Sequence, residues 1–188
     1  MSREPRPPDD AYFEIRSELL SQGDVFADVP LAYPMPAQEI VEQEAAGTGR
    51  RFLSGPLDFG MAMLITPTCS IRSRSGVATY AHAVRTLVPV VRLDRELKDR
   101  LSLDTGKLGL LRKYDGLINY MYLPPSKRHG VDESLAFLYM PVTVHHDMIA
   151  GQRVTQLAIE GAKQFQRKLV WFTSGYLVGR ETFMPPMD

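Results

Sequence analysis

The chain has a single cysteine, Cys69, in 188 residues. No intramolecular disulfide can form, and the natural setting is a reducing, intracellular one. It also lacks an excess of charge of either sign: Lys and Arg total 22, and Asp and Glu total 22. A nucleic-acid binder usually carries a basic excess, so bulk charge argues against that role while leaving room for a local basic patch. No apolar run approaches the roughly 20 residues of a membrane-spanning helix. The charged, proline-rich stretch Met1–Asp10 has no apolar centre of the kind found in signal peptides or anchors. The expectation is a cytoplasmic protein, or one assembled into a particle made in the cytoplasm, with no membrane partner. There is no internal repeat, no low-complexity tract and no strong catalytic or ligand motif. No cofactor is implied.

What is there is a series of short, proline-punctuated apolar runs followed by one amphipathic stretch. Hydrophobic residues make up 44% of the chain, enough for a core. The runs Asp24–Val29, Met61–Thr66, Arg85–Arg92, Leu117–Leu123 and Leu135–Val144 predict strands. Pro89 within the third marks a bulge or a sheet edge, and Pro141 interrupts the last. From Val154 to Phe172 a helix is predicted, with Leu157, Gly161, Phe165, Leu169 and Phe172 on one stripe. Gly161 in that stripe implies close approach of another backbone, the barrel wall, and Gly175 is placed as the C-terminal cap. Asp94 is placed as the N-cap of a helix of about two turns.

The fold class expected is β-rich α+β: a small SH3-like or related β-barrel with a long C-terminal helix packed on it. Met1–Asp10 reads as an N-terminal arm, residues 11–180 as one domain and 181–188 as a tail. Ala11–Leu20 fits a short helix. Pro30–Phe59 is a long excursion: Ala37–Ala46 fits a short acidic helix, and Gly47–Pro56 is a loop with three glycines and the pair Arg50-Arg51.

The order of elements resembles the MazF/PemK-like toxins. Gly23-Asp24-Val25 matches that family's opening Gly-Asp-hydrophobic strand, and Met61-Ala62-Met63-Leu64-Ile65 its buried strand after a long loop. Ser134–Val144 matches its Ser-led strand, and Arg153-Val154-Thr155-Gln156-Leu157 its Arg-Val/Leu-x-x-Leu entry to the final helix. The resemblance covers about the central two-thirds of the chain. It implies an SH3-like barrel and, at the level of activity, RNA cleavage. Two departures weaken the second implication. The family's Arg-Pro before the second strand has no match here, the nearest basic pair being Arg50-Arg51. Its Thr or Ser at the end of the third strand is replaced by Arg92-Leu93-Asp94. The segment Leu64–Ile71 also resembles a signature of uncharacterised bacterial and phage-associated proteins.

Candidate chemistry is sparse. Cys69 follows a buried strand among Thr66, Thr68 and Ser70, and His82 on the next run could face it as a general base. A small space-filling residue at a strand end is the simpler reading of that cysteine. His145-His146-Asp147 is the densest titratable cluster, but in a strand His145 and Asp147 share a face and His146 does not. Two ligands do not make a metal site, and none is assigned. Arg50, Arg51, Arg72, Arg74, Lys127 and Arg128 all fall in expected loops. If those loops gather at one end of the barrel they form a basic rim, with Phe52 or Tyr80 available for base stacking. Solvated loop charge is the simpler alternative. Tyr120, Tyr122, Phe137 and Tyr139 fit cross-strand core pairs better than a recognition surface.

The leading reading is a non-catalytic binding or assembly protein, working through protein–protein contacts as a homo-oligomer, for instance a phage or mobile-element structural component. Tyr33, Phe52 and the loop cations are its candidate contact residues. The arm and the excursion, rich in proline and apolar residues, would contact another chain. The alternatives are a MazF/PemK-like endoribonuclease using Arg50 or Arg51, and a Cys69/His82 hydrolase.

Overall fold

The computed structural model describes residues 12–15, 18–31, 41–44, 51–54, 58–71, 83–113 and 116–175. Nine strands and four helices lie among them. The strands are β1 (Val25–Leu31), β2 (Val41–Glu44), β3 (Arg51–Ser54), β4 (Asp58–Leu64), β5 (Val84–Arg92), β6 (Tyr120–Leu123), β7 (Ser134–Phe137), β8 (Val142–His145) and β9 (Arg153–Thr155). The helices are α1 (Thr68–Ile71), α2 (Arg95–Arg100), α3 (Thr105–Leu111) and α4 (Ile159–Ser174).

Seven strands form one antiparallel sheet in the order β6-β7-β5-β4-β1-β9, with β8 also paired to β5. The sheet is open: β6 and β9 end it and are not paired to each other. The expected β-rich α+β class is therefore present, with a C-terminal helix, but the backbone ladder does not close into a barrel. β5 explains the shape. On one edge it pairs with β4 from Leu87 to Val90. On the other, Val84–Leu87 pair with β8 and Val90–Arg92 with β7. Pro89 falls in the gap where the outer partner changes, a position where a residue without an N–H breaks no ladder bond.

Several expected elements are redrawn. Leu135–Val144 is two strands separated by a turn, because its halves pair with different halves of β5. The helix expected from Val154 begins only at Ile159, because Arg153–Thr155 is taken by β9, which pairs with Val25 and Phe26. Within Ala11–Leu20 the described residues form no helix. Phe13 instead makes an isolated bridge to Leu157. Of the acidic helix and glycine loop expected in the excursion, the described residues 41–44 and 51–54 form a two-stranded ribbon, with Val41 opposite Ser54 and Glu44 opposite Arg51, and the rest lies outside the described residues.

Apolar side chains fill both faces of the sheet. On one face Val25, Met63, Val88, Met121 and Leu123 meet Phe165 and Ala162 of α4 and Tyr12 and Phe13 of the N-terminal segment. On the other, Phe26, Ala62, Leu64 and Leu87 pack with Val142, Val144 and Ile149. A third cluster (Leu93, Leu97, Leu111, Tyr122, Leu135, Phe137) belongs to the segment between β5 and β8. Gly161 is approached as expected, but by the N-terminal segment and not a barrel wall: a Cβ there would lie 3.1 Å from the Tyr12 carbonyl oxygen. Asp94 caps α2 by accepting from the Leu97 N–H at 2.8 Å. Gly175 ends α4 in the left-handed conformation, φ 73°.

Candidate functional site

Among the described residues, the catalytic and contact candidates lie on separate elements. Arg50, Arg72, Arg74, His82, Tyr33 and Tyr80 lie outside the described residues. Cys69 lies on α1, the short helix that follows β4. Arg51 and Phe52 lie on β3 of the ribbon. Lys127 and Arg128 are exposed on the 3-10 turn between β6 and β7, 4 residues and fewer from its Ser126–Val131 bridge. The His145 Nδ1 lies 3.2 Å from Asp147 Oδ2, both side chains largely exposed. His146 is partly buried, and burial first, then the Arg85 charge, push it below the usual imidazole range. Among the described residues no group of three or more His, Cys, Asp or Glu is placed to hold a metal.

What the fold does bring together is a polar seam where β9 closes on the start of β1. Gly23 turns the chain into it at φ +93°, a conformation that favours glycine, and a Cβ there would lie 2.8 Å from Leu157 Cδ1, so that side chain would have to shift. Asp24 follows and is 0% exposed. Its Oδ2 accepts from the Ser21 N–H at 3.0 Å and pairs with Arg153 Nη1 at 3.3 Å. The same Arg153 nitrogen donates to the Leu19 carbonyl at 3.2 Å, and Gln156 Nε2 reaches that carbonyl at 3.4 Å. Burial raises the Asp24 carboxyl to about 6, against the opposing pull of the Ser21 N–H and Arg153. The seam ties three segments, 18–23, β1 and β9, into one corner.

One strand position further along, Thr155 faces the tip of the β6–β7 hairpin. Its Oγ1 lies 3.2 Å from His129 Nδ1, with the donor set by the imidazole tautomer. The His129 ring also packs on Phe13, centroids 6.1 Å apart. His129 Nε2 and Ser126 Oγ are buried without a hydrogen-bond partner among the described residues. A hydroxyl beside an imidazole has the composition of a nucleophile and its base. Thr155, however, is 0% exposed, so no substrate reaches it in this conformation. The contact instead joins the two ends of the open sheet, hairpin tip to β9, by side chains where the ladder does not.

The aromatic residues divide. Tyr122 and Phe137 are buried, as expected of core pairs, but Tyr139 is 45% exposed and Tyr120 only partly covered. The rings of Tyr120, Phe137 and Tyr139 form a triangle with centroids 5.2–5.8 Å apart. Burial, then a hydrogen bond with Tyr139, pushes the Tyr120 phenol up to about 12. The Asp24–Arg153 pair and the His129–Thr155 contact escaped the sequence reading. Asp24 and Arg153 did stand at the two ends of the family-like pattern, and opposite charges there were the available signal. Among the described residues no helix is long and apolar enough to cross a membrane. Compared with known proteins, the chain matches no family model and no curated protein.

Proposed function

We propose that the chain is a binding and assembly protein that acts without catalysis, through protein–protein contacts and as a homo-oligomer, as a structural component of a phage or mobile element would. The observation that carries this is the β2–β3 ribbon. Among the described residues it pairs with no strand of the main sheet. A lone two-stranded ribbon is marginal in water, and its edges and faces suit it to docking against another chain. Val41, Phe52 and Leu53 give it apolar positions, and Glu42, Glu44 and Arg51 give it charge of both signs. Deleting Ala37–Gly55 and weighing the protein in solution tests this. The expected result is a smaller assembly with the body still folded. An unchanged number of chains in the assembly would overturn it.

A second reading, an endoribonuclease of the MazF/PemK kind, draws support from one observation. The two stretches that carry the resemblance, Gly23–Val25 and Arg153–Leu157, meet in the fold: Val25 pairs with Thr155 and Asp24 with Arg153. With the hairpin tip held to β9, that arrangement also favours an SH3-like, partly open barrel as the finer description of the sheet. Arg50 or Arg51 is then the residue to supply charge to a phosphorane-like transition state. Incubation with single-stranded RNA separates the readings. Cleavage lost in Arg50→Ala or Arg51→Ala would put this reading first, and intact RNA would remove it.

A further inference from the structure

We propose that the corner where β9 meets the start of β1 is a pH-operated latch: it stays shut while Asp24 carries a proton, and ionisation of Asp24 lets β9 and residues 18–23 open locally from β1. Asp24 is 0% exposed. Among the described residues it faces one charge, Arg153 of β9, whose Nη1 lies 3.3 Å from its Oδ2. Its other neighbours are neutral. Residues 18–23 bring the Ser21 N–H at 3.0 Å, while Glu18 on the same segment is exposed. β4 brings Met63 and Leu64, the latter donating its N–H to the Asp24 carbonyl. Before α4 comes the buried Gln156 amide, and α4 itself presents Phe165 beside Gly23. Arg153 is shared, because the same nitrogen donates to the Leu19 carbonyl at 3.2 Å. One shared cation and one amide return less than full burial of a carboxylate costs. In an open corner water solvates the carboxylate, and its affinity for a proton falls to the ordinary range near 4. Ionisation therefore favours the open corner, by roughly 100-fold once both states are ionised.

The fold makes that opening local. β9 is three residues long and ends the sheet. It is held to β1 through Val25–Thr155 and Phe26–Arg153, with a register irregularity between them. Around it stand the Ala27 N–H on the Gln152 carbonyl at 3.0 Å, the Glu14 N–H on the Gln156 carbonyl at 2.9 Å, and the Thr155–His129 contact. A terminal strand can leave without breaking the ladders behind it. β1 keeps its longer ladder to β4, from Val25 to Leu31. Opening uncovers the outer edge of β1 at Val25 and Phe26, backbone groups that an added strand can pair. The latch thus sets the pH at which that edge is offered.

Amide hydrogen exchange on the full chain tests this, with opening constants corrected for the intrinsic pH dependence of exchange. The Ser21 and Ala27 amides are both bonded within the corner. They should open at least about tenfold more often than the amides of β5. Their opening constants should rise roughly 20-fold between about pH 4.5 and 7.5, and stay level in Asp24→Asn. The Asp24 carboxyl carbon, followed by NMR in the parent and needing no variant, should titrate with its midpoint at about 6. A midpoint near 4 overturns the proposal. Corner amides that open only as often as those of β5 overturn it too, because the pH effect is then one on global unfolding alone. The same rise in Asp24→Asn as in the parent would assign the effect to another group and overturn it as well.

Discussion

Two antiparallel hairpins leave the main sheet, and they are held to it very differently. β6–β7 continues the sheet through β5, buries Tyr122, Leu135 and Phe137 and sets its tip on β9 through His129 and Thr155. Glu133 beside it accepts from Arg112 at 2.8 Å and from the Tyr122 hydroxyl at 2.7 Å. Among the described residues β2–β3 is paired only with itself. The same local structure is therefore part of the body in one case and an appendage in the other. What differs is long-range anchoring, since a ladder between two strands carries little stability by itself.

The largest test of that contrast is in the body. Phe165 of α4 is fully buried against the face that also receives β6 and β7. Phe165→Ala should cost about 3–5 kcal/mol by denaturant unfolding. A variant that unfolds like the parent would mean that α4 does not hold the body together.

The next effect is one of pH. Burial raises the Asp24 carboxyl to about 6 in the fold, above the usual carboxylate range. The raised value means that the folded state holds the proton more tightly than the unfolded one. Asp24 thus lowers stability as pH rises from about 4 to about 6, by roughly 3 kcal/mol at most, and contributes no further change above that. Between pH 4.5 and 7.5 the parent should lose stability relative to Asp24→Asn. Parallel pH profiles of the two proteins would show that this carboxyl does not titrate there.

Smaller again is the side-chain contact between the hairpin tip and β9. Thr155→Val keeps shape but leaves His129 Nδ1 without its hydroxyl, at a cost of about 1–2 kcal/mol. Faster amide exchange at the hairpin tip should accompany it. A tip that exchanges as before would show that the hairpin is held by its ladder alone. The smallest effect belongs to the appendage. Phe52→Ala should change unfolding of the body by less than about 0.5 kcal/mol, while shifting the mass distribution in solution toward smaller species. A large loss of stability would make the ribbon part of the body and erase the contrast.

How much of this was legible follows the range of the interactions. Met61–Leu64 announced a buried strand because both faces of the sheet are covered there, and a continuous apolar run reflects that. Asp94 and Gly175 were readable because capping is local. The ribbon was not: Val41-Glu42-Gln43-Glu44 has helix-favouring residues, and only pairing with Arg51–Ser54 makes it a strand. Arg153–Thr155 read as the start of a helix for a similar reason, its strand partner being Val25, far away in sequence. The seam was hidden most deeply. Asp24 and Arg153 are 129 residues apart, and Thr155 with His129 carries no spacing signal at all. Charge pairs and hydroxyls acquire a role only once strands distant in sequence are side by side.

The divided edge of β5 has a consequence for the order of folding. The chain leaves β5 at Arg92 and returns to the same strand at Val142, so β5–β8 is a hairpin with everything between them inserted. Pairing β8 first would require closing that whole stretch as a loose loop. The insert has its own apolar cluster and pairs β7 to the far half of β5. Once it has folded, Val142 is delivered beside Leu87 over a short connection, and each halving of effective loop length lowers the closure cost by about 0.6 kcal/mol. The hypothesis is that β7 amides gain protection before β8 amides during refolding, the part of the chain later in sequence waiting on the earlier one. Pulse-labelled hydrogen exchange reads that order directly, and simultaneous protection of both strands would show the insert to be a passenger of the fold and not its template.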